Sequence, residues 1–178
     1  MQRTLSKYLS KSVLLNLAIA LAGLIVSSKI SIELSFSPVP ITLQSFAILL
    51  IALLFDRTQG LIIILTYLLL GIIGIPVFAG DKSGLEVLIG PTGGFLIGFI
   101  VVIYLLSLIR GPLSHVSVFE SFGLFLIGHL VISFCGLLVL YFHVGNRFLE
   151  YGLYPFLPGI LFKSIIGALL ISYINRKN

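Results

Sequence analysis

Six long apolar windows, separated by short charged segments, dominate the sequence. Lys, Arg, Asp and Glu are absent from the first five windows, and a single lysine interrupts the sixth. A transmembrane helix needs roughly 20 mainly apolar residues, and the windows are long enough to supply them. The pattern therefore predicts six transmembrane helices in one integral-membrane domain, 1–178, with spans at about 12–30, 42–55, 59–75, 91–109, 121–143 and 156–175.

The composition supports the same class of protein. Hydrophobic residues make up 58% of the chain and charged residues 10%, with a mean hydropathy of +1.20. Soluble domains carry about 25% charged residues, so the sequence predicts an all-α membrane protein whose surface faces lipid. The N-terminal segment, with basic residues before an apolar stretch, also resembles a signal peptide. An uncleaved first span is preferred because further spans follow it.

The basic residues indicate an orientation in the membrane. The net charge is +5, but Lys and Arg form no basic stripe with interleaved aromatic residues, which argues against nucleic-acid binding. Six spans place both termini on one side, and the side with more Lys and Arg is cytoplasmic by the positive-inside rule. The termini and the second and fourth loops hold Arg3, Lys7, Lys11, Arg57, Arg110, Arg176 and Lys177, whereas the other loops hold Lys29, Lys82 and Arg147. Cytoplasmic termini are therefore expected.

Proline- and glycine-rich segments precede the second, fourth and sixth predicted helices. They lie at 37–44, at 74–80 together with 90–94, and at 155–159. Irregular backbone at membrane depth is tolerated only where it is buried in protein or lines a cavity. The three segments therefore predict the walls of a pocket at the outer face. Proline is also common in the first turn of a helix, so plain helix starts are the alternative.

Lys163 lies about one turn into the sixth predicted helix, near the same outer face. A lysine within the bilayer is unfavourable, and no acidic residue lies within one turn of it. One interpretation is a side chain that extends to the outer headgroups, and the other is a cation that contacts a ligand carboxylate. Because helix N-termini also attract anions, the second interpretation predicts a small anionic or partly polar solute that binds from outside.

Motifs for catalysis, metal binding and ATP hydrolysis are absent from the sequence. It contains no HExxH and no Walker A loop. No enzyme activity, cofactor or metal is therefore expected, and active transport would draw its energy from a partner. The chain's three histidines and one cysteine lack the spacing of metal ligands and are interpreted as packed or interfacial side chains; they are His115, His129, His143 and Cys135.

Two pairs of small residues have a spacing that allows membrane helices to approach closely. Ala18 and Ala22 lie on the first predicted helix, and Gly94 and Gly98 lie on the fourth. Small residues four apart form such contacts in membranes. The spacing favours a partner helix, and packing within this chain is the alternative.

These motifs together resemble the BioY family, the biotin-binding S components of energy-coupling factor (ECF) transporters. The matching segments are PVPITLQ at 38–44, GIPVFAG at 74–80, GPTGGF at 90–95, and PFLPG at 155–159 followed by Lys163. They occur in order over nearly the whole chain. The resemblance implies a six-helix S-component fold that binds biotin in an outward cavity of a prokaryotic cell-membrane protein. It also implies partners: a membrane scaffold (T component) and two ABC-type ATPases, which drive toppling of the loaded bundle.

The resemblance further implies roles for single residues. Lys163 is expected to make a polar contact to biotin, with Thr42 and Gln44 contributing from the loop that caps the cavity. Ala18 and Ala22 match the alanine motif by which S components of this class dock on the scaffold. The other expected ligand contacts are wall residues and aromatic side chains, namely Phe78, Gly80, Gly90, Pro91, Thr92, Gly93, Gly94, Phe95 and Phe156.

The sequence departs from the family pattern at two positions. Ile160 stands where the family usually has an aspartate, three residues before the lysine, and Gly80 stands where an asparagine is sometimes found. Residues three apart on a helix are neighbours, so Lys163 lacks its usual partner. One lost charged hydrogen bond costs about 1.5–3 kcal/mol, or roughly ten- to a hundredfold in affinity. Weaker biotin binding, another pose or a modified ligand is the expected consequence.

Three other functions remain open from the sequence. An S component for another vitamin or a biotin relative keeps the class and changes the ligand. An intramembrane enzyme would need an intramembrane acid, a Ser–His pair or a metal cluster. A non-transporting membrane scaffold would show no ligand-dependent change in thermal stability.

Overall fold

The computed structural model describes residues 10–111 and 116–177, and this part of the chain is mostly helical. Three residues discussed above, Arg3, Lys7 and His115, lie outside it. Its α-helices, in chain order, are α1 (Lys11–Lys29), α2 (Gln44–Leu54), α3 (Arg57–Ile72), α4 (Leu85–Ile89), α5 (Gly93–Ile109), α6 (Val118–Val144), α7 (Phe148–Gly152) and α8 (Leu157–Lys177). Turns of 3-10 helix lie at Ala79–Asp81, Gly145–Arg147 and Tyr154–Phe156.

The long helices α1, α2, α3, α5, α6 and α8 correspond to the six segments predicted as spans. Their ends differ from the predicted ends by at most three residues. Polar residues between the apolar windows begin two of them. Asp56 accepts from the backbone N–H of Gln59 (2.9 Å), whose side chain accepts from the backbone N–H of Asp56 (3.3 Å). Ser117 and Glu120 make the same reciprocal pair at the start of α6, and such capping boxes satisfy free N–H groups at helix starts.

A β-hairpin follows α1, so the all-α prediction is wrong for this segment. Strands β1 (Ser31–Leu34) and β2 (Ser37–Thr42) pair antiparallel, with Ser31 opposite Thr42. A two-stranded sheet has only edge strands, and these tolerate the two prolines of β2, which lack an N–H. The apolar window 34–55 did not reveal β2, because apolar strands and apolar helices both lack charged residues.

Hydrogen bonds between segments show that successive long helices run in alternating directions. At one end of the bundle, the guanidinium group of Arg110, just after α5, donates to the carbonyl of Phe55, just after α2 (2.6 Å). Asn175, near the end of α8, donates to the carbonyl of Val116, two residues before α6 (3.3 Å). At the opposite end, Ser28 of α1 donates to a carbonyl in the loop after α3 (2.6 Å). The starts of α2, α5 and α8 therefore lie at the end that carries the hairpin.

Close packing of α5 against α6 explains one of the two small-residue pairs. A Cβ atom on Gly98 would lie 3.1 Å from the Cα of Ile132 and 3.2 Å from the Cβ of Cys135. The spacing of Gly94 and Gly98 therefore serves packing within the chain. Around this contact the core consists of fully buried side chains from several helices, among them Leu49, Ile64 and Phe125.

The outer surface of the bundle is apolar. Phe119, Phe134 and Phe142 are 88%, 64% and 85% exposed, and extensive exposed apolar surface marks contact with lipid or protein. Within the described residues, two helical stretches are long and apolar enough to cross a membrane, namely α1 and the stretch Val118–Arg176 that holds α6 to α8. Helices α2, α3 and α5 are apolar but shorter, with 11, 16 and 17 residues.

Candidate ligand-binding pocket

A pocket opens at the end of the bundle that carries the hairpin. Its cavity volume is about 80 Å³, several times the roughly 10–15 Å³ that one water molecule requires on the same measure. The starts of α2, α5 and α8 all line it, as the proline- and glycine-rich segments predicted. Its lining consists of Val39, Pro40, Ile41, Thr42, Gln44, Ser45, Phe78, Ala79, Lys82, Val87, Thr92, Phe95, Leu96, Phe99, His129, Ile132, Ser133, Phe156, Ile160 and Lys163.

The side chain of Lys163 is turned toward the inside of this pocket. Its Nζ donates to the backbone carbonyl of Thr42 (2.6 Å) and to the Oγ of Ser45 (3.2 Å). Thr42 ends β2 and Ser45 lies in the first turn of α2, so the lysine joins α8 to the hairpin and to α2. These contacts exclude a side chain that extends to the outer headgroups. The ammonium group has no carboxylate partner among the described residues.

Buried polar side chains of α6 and α8 surround the same point. His129 is 2% exposed, and its Nδ1 donates to the carbonyl of Phe125 one turn earlier (2.9 Å). The other ring nitrogen, Nε2, lies 3.5 Å from the Oγ of Ser45, the hydroxyl that Lys163 also contacts. The Oγ of Ser164 lies 3.4 Å from Nδ1. The imidazole of His129, the hydroxyl of Ser45 and the ammonium group of Lys163 therefore meet at one place in the pocket, and the Ser164 hydroxyl lies on the other side of the imidazole.

Aromatic and aliphatic side chains form the pocket walls. The rings of Phe95 and Phe156 have centroids 6.2 Å apart and an interplanar angle of 31°. Phe78 is 1% exposed, and its ring meets that of Tyr67 edge-on at 5.5 Å. Ile160, three residues before the lysine of α8, adds apolar surface to the lining. These walls suit a ligand with a compact apolar ring system.

Gln44 lines the pocket and also belongs to a structural network. Its Nε2 donates to the hydroxyl of Tyr67 (2.5 Å), which donates to the carbonyl of Val77 (2.8 Å). Ser28 of α1 donates to the same carbonyl (2.6 Å). The network fixes the loop after α3 against α1 and α2, and with it the position of Phe78 in the wall.

The hairpin covers the pocket and is anchored on both of its sides. Residues 39–41 of β2 contribute to the lining. Ser37 Oγ donates to the carbonyl of Tyr151 in α7 (2.8 Å), and the rings of Phe36 and Tyr151 have centroids 6.5 Å apart. The end of β2 is held by Lys163. A ligand can therefore reach the pocket by two routes: past the hairpin, which requires these contacts to break, or through the mouth beside the hairpin.

The charges at the pocket favour an anion. Lys163 lies deep and Lys82 is exposed at the mouth, and no Asp or Glu is among the described lining residues. The neighbouring Asp81 is paired with Lys29 (2.7 Å), whose ammonium group also contacts the carbonyl of Pro76. Two cations without a lining carboxylate give a positive potential, which attracts an anionic ligand group.

The structure brings together most, but not all, of the residues that the sequence suggested as ligand contacts. Thr42, Gln44, Phe78, Thr92, Phe95, Phe156, Ile160 and Lys163 lie in the pocket lining. Five others are not among the lining residues: Gly80, Gly90, Pro91, Gly93 and Gly94. A side chain on Gly94 would overlap the backbone of Cys135 in α6. Gly80 has a φ of +67°, which glycine adopts readily. At these two positions backbone geometry and packing account for the glycine.

Several lining residues were not predicted as ligand contacts, and those on α6 had a recognisable signal. One of them, His129, was interpreted from the sequence as a packed or interfacial side chain; it is buried but also lines the pocket. His129 and Ser133 are polar side chains four apart in the mainly apolar middle of α6, and Ile132 lies between them in the lining. Residues three and four apart share one helix face, so this polar face could have been assigned to the cavity. Ser45 and Lys82 lie next to the predicted segments, and no pattern distinguished them.

Ala18 and Ala22 lie on an exposed face of α1, away from the pocket. Both are exposed, as are the large neighbours Leu15, Ile19 and Val26. This face packs against no other part of the described chain. The alternative that Ala18 and Ala22 serve packing within the chain therefore finds no support.

Comparison with known proteins identifies relatives over nearly the whole chain. The model of the BioY family matches residues 1–178. The biotin transporter BioY of Thermotoga maritima is 36% identical over 159 residues, which cover 88% of this chain and 92% of that protein. The biotin transporter BioY2 of Lactococcus lactis is 37% identical over 157 residues, covering 86% of this chain and 84% of that protein.

A solved structure has the same fold. The crystal structure of the S component for biotin from an ECF-type ABC transporter matches with a TM-score of 0.79 and 26% sequence identity, and covers 93% of this chain and 90% of that chain. The S-component fold that the motifs implied is thus confirmed, whereas the hairpin was not predicted. With a family model that matches from the first residue to the last, the chain belongs to the BioY family.

Proposed function

We propose that this protein binds biotin and mediates its uptake as the S component of an ECF-type transporter. The observation that carries the proposal is the pocket formed by the starts of α2, α5 and α8, with the ammonium group of Lys163 inside it. Relatives that are 36% and 37% identical are named biotin transporters. The family is one of transporter components, so catalysis by this chain is not proposed.

The chemistry of the pocket suits the three parts of biotin. Its sulfur-containing ring is apolar and packs against the adjoining rings of Phe95 and Phe156, with Ile160 as further wall. The ureido group needs a donor for its oxygen, which Lys163 supplies, and acceptors for its two N–H groups. The valerate carboxylate is attracted by the positive potential and lies toward Lys82 at the mouth. Thr42, Gln44, Phe78 and Thr92 complete the proposed contacts. Gly80, Gly90, Pro91, Gly93 and Gly94 lie in the segments that carry Phe78, Thr92 and Phe95, but not in the lining itself.

We also propose that the six long helices cross the cell membrane as one bundle with cytoplasmic termini. The alternating helix directions support this, since α1 begins and α8 ends at the end opposite the pocket. Arg57, Arg110 and Arg176 lie at that end, and the positive-inside rule favours it for the cytoplasm. The hairpin, the loop with Asp81 and the pocket mouth then face outward.

The proposed partners are a T-component scaffold and two ABC-type ATPases. Support comes from the exposed α1 face that holds Ala18 and Ala22, since small residues allow a scaffold helix to approach closely. The solved relative is described as a component of an ECF-type ABC transporter. In this arrangement the ATPases supply the energy and this chain supplies the binding site.

A second candidate ligand is another vitamin or a biotin relative. Ile160 favours it, because an apolar side chain stands where the family usually has an acid. Competition with unlabelled vitamins against labelled biotin separates the two ligands. If an unlabelled vitamin displaces labelled biotin at a lower concentration than unlabelled biotin does, that vitamin becomes the proposed ligand.

Ligand binding by the purified protein tests the main proposal. Biotin should bind saturably without ATP, measured by calorimetry in detergent, and should raise the thermal unfolding temperature. A non-transporting scaffold would show neither effect. Absence of biotin binding by a folded preparation would contradict the proposal.

A further inference from the structure

His129 is the most deeply buried titratable side chain in the pocket, and the proposed contacts do not use it. It lies in the middle of α6 with 2% of its surface exposed, yet it is part of the lining. The carbonyl of Phe125 can only accept, so the bond at 2.9 Å requires a hydrogen on Nδ1. In the neutral ring, Nε2 then carries no hydrogen and is an acceptor.

The distance from Nε2 to its nearest polar partner is at the outer limit for a hydrogen bond. Ser45 Oγ lies 3.5 Å away, whereas well-formed bonds of this kind measure about 2.7–3.2 Å. Ser45 also receives a hydrogen bond from Lys163 at 3.2 Å. A buried acceptor with such a long contact gains from a better donor, and this one points to the place where Lys163 meets the pocket.

An N–H of a ligand ureido group would supply that donor. The described pocket lining offers no charged acceptor for such an N–H. No carboxylate is among the described lining residues, and the position three before Lys163 is Ile160. Around the ammonium group, the acceptors are the carbonyl of Thr42 and the hydroxyl of Ser45, which it contacts, and the imidazole of His129, which lies against that hydroxyl. Further polar side chains of the lining are Gln44, Thr92 and Ser133. Among these acceptors, the imidazole is held in place by a second hydrogen bond and presents a lone pair that no neighbour in the described chain fills closely.

We propose that His129 is a specificity-determining residue of this pocket, whose Nε2 accepts a hydrogen bond from a ligand N–H while Lys163 donates to the adjoining carbonyl oxygen. This inference rests on the proposed function, since it assigns a recognition group within the same site. The ligand class is a neutral cyclic urea that carries an anionic tail. The imidazole is thus the acceptor for the ligand N–H in a described lining that holds no carboxylate.

The test compares biotin affinity of His129→Phe and His129→Gln with that of the unchanged protein by calorimetry. Phenylalanine keeps the ring and removes the acceptor, so affinity should fall about tenfold or more, as expected for one unmade hydrogen bond in a buried site. Glutamine can place an oxygen near the position of Nε2, so it should restore affinity to within about threefold. Equal loss in both variants, or no loss in His129→Phe, would overturn the proposal.

His143→Phe is the matched control. It lies on the same helix and its Nδ1 makes the same contact to the carbonyl four residues earlier (3.0 Å), but it is exposed and absent from the pocket lining. Its substitution should leave biotin affinity unchanged.

A double variant separates recognition from packing. If the imidazole is the acceptor for the ligand N–H, Ile160→Asp should raise biotin affinity more in the His129→Phe background than in the unchanged protein. If His129 only packs, an acceptor at position 160 should add the same affinity whether or not His129 is present. Equal gains in both backgrounds would therefore contradict the proposal. Absence of biotin binding by the unchanged protein would instead refute the proposed function itself.

Discussion

Lys163 joins three elements of the pocket, so its removal has a ligand effect and a structural effect. Its ammonium group contacts the end of β2 and the start of α2, and it is the proposed donor to the ligand. Lys163→Ala should therefore weaken biotin binding about ten- to a hundredfold, the range of one charged hydrogen bond. Calorimetry measures this, with Lys11→Ala, exposed at the far end of α1, as the control. Undiminished affinity in Lys163→Ala would show that the ammonium group does not contact biotin.

Ile160 lies three residues before Lys163 on α8 and contributes an apolar side chain to the pocket lining. A carboxylate introduced there would be a neighbour of Lys163 on α8 and could pair with it, and it would offer a charged acceptor inside the pocket. Ile160→Asp should raise biotin affinity about tenfold, and competition binding measures it. Ile160→Asn provides a polar side chain without the charge and should gain less. If the aspartate variant binds biotin more weakly, the chain is adapted to a ligand that needs the apolar side chain.

At the scale of elements, the hairpin is the part of the structure placed to control ligand exchange. One of its anchors is the hydrogen bond from Ser37 to the carbonyl of Tyr151. Ser37→Ala removes that bond, which contributes about 0.5–1.5 kcal/mol, and biotin should dissociate up to about tenfold faster. Stopped-flow displacement of labelled biotin measures the rate. Ser35→Ala, in the exposed hairpin turn, should not change it, and equal rates in all three proteins would argue against the hairpin as the cover.

Helix α1 presents the surface proposed for the scaffold partner. Ala22→Leu adds a bulky side chain to this exposed face, so it should block close approach of a helix while leaving the distant pocket intact. Co-purification with the T component and the ATPases should be lost, and biotin binding by the isolated chain should be retained. The control is Gly123→Leu on α6, where an added Cβ meets no atom within 4 Å. Normal assembly by Ala22→Leu would place the partner on another face.

The elements also show which parts of the structure a single sequence reveals. Charges such as Asp56 and Glu120 end the apolar windows and also cap helices, so helix positions follow from them closely. The hairpin was missed because β2 shares an uncharged window with α2. His129 was missed because its role depends on Ser45, 84 residues earlier in the chain. A polar face on an apolar helix is visible in sequence, but the face it meets is fixed only by packing.

At the scale of the whole molecule, the bundle has two ends that differ in chemistry. The pocket end carries Lys29, Asp81 and Lys82 together with the hairpin, and the other end carries Arg57 and Arg110. The exposed flanks between the ends are apolar. A membrane placed around these flanks leaves one polar end on each side. The pocket then opens to one compartment only, which is the arrangement that a substrate-binding component requires.

The orientation of this arrangement can be tested with single cysteines. In a Cys135→Ser background, Asn146→Cys places a thiol at the pocket end and Arg176→Cys places one at the end of α8; both positions are exposed. If the termini are cytoplasmic, a membrane-impermeant maleimide added to intact cells should label the cysteine at 146 and not the one at 176. Permeabilised cells should show labelling of both, which controls for reactivity. The reverse pattern in intact cells would turn the pocket toward the cytoplasm, and a bundle in that orientation could not collect biotin from outside before its partners act.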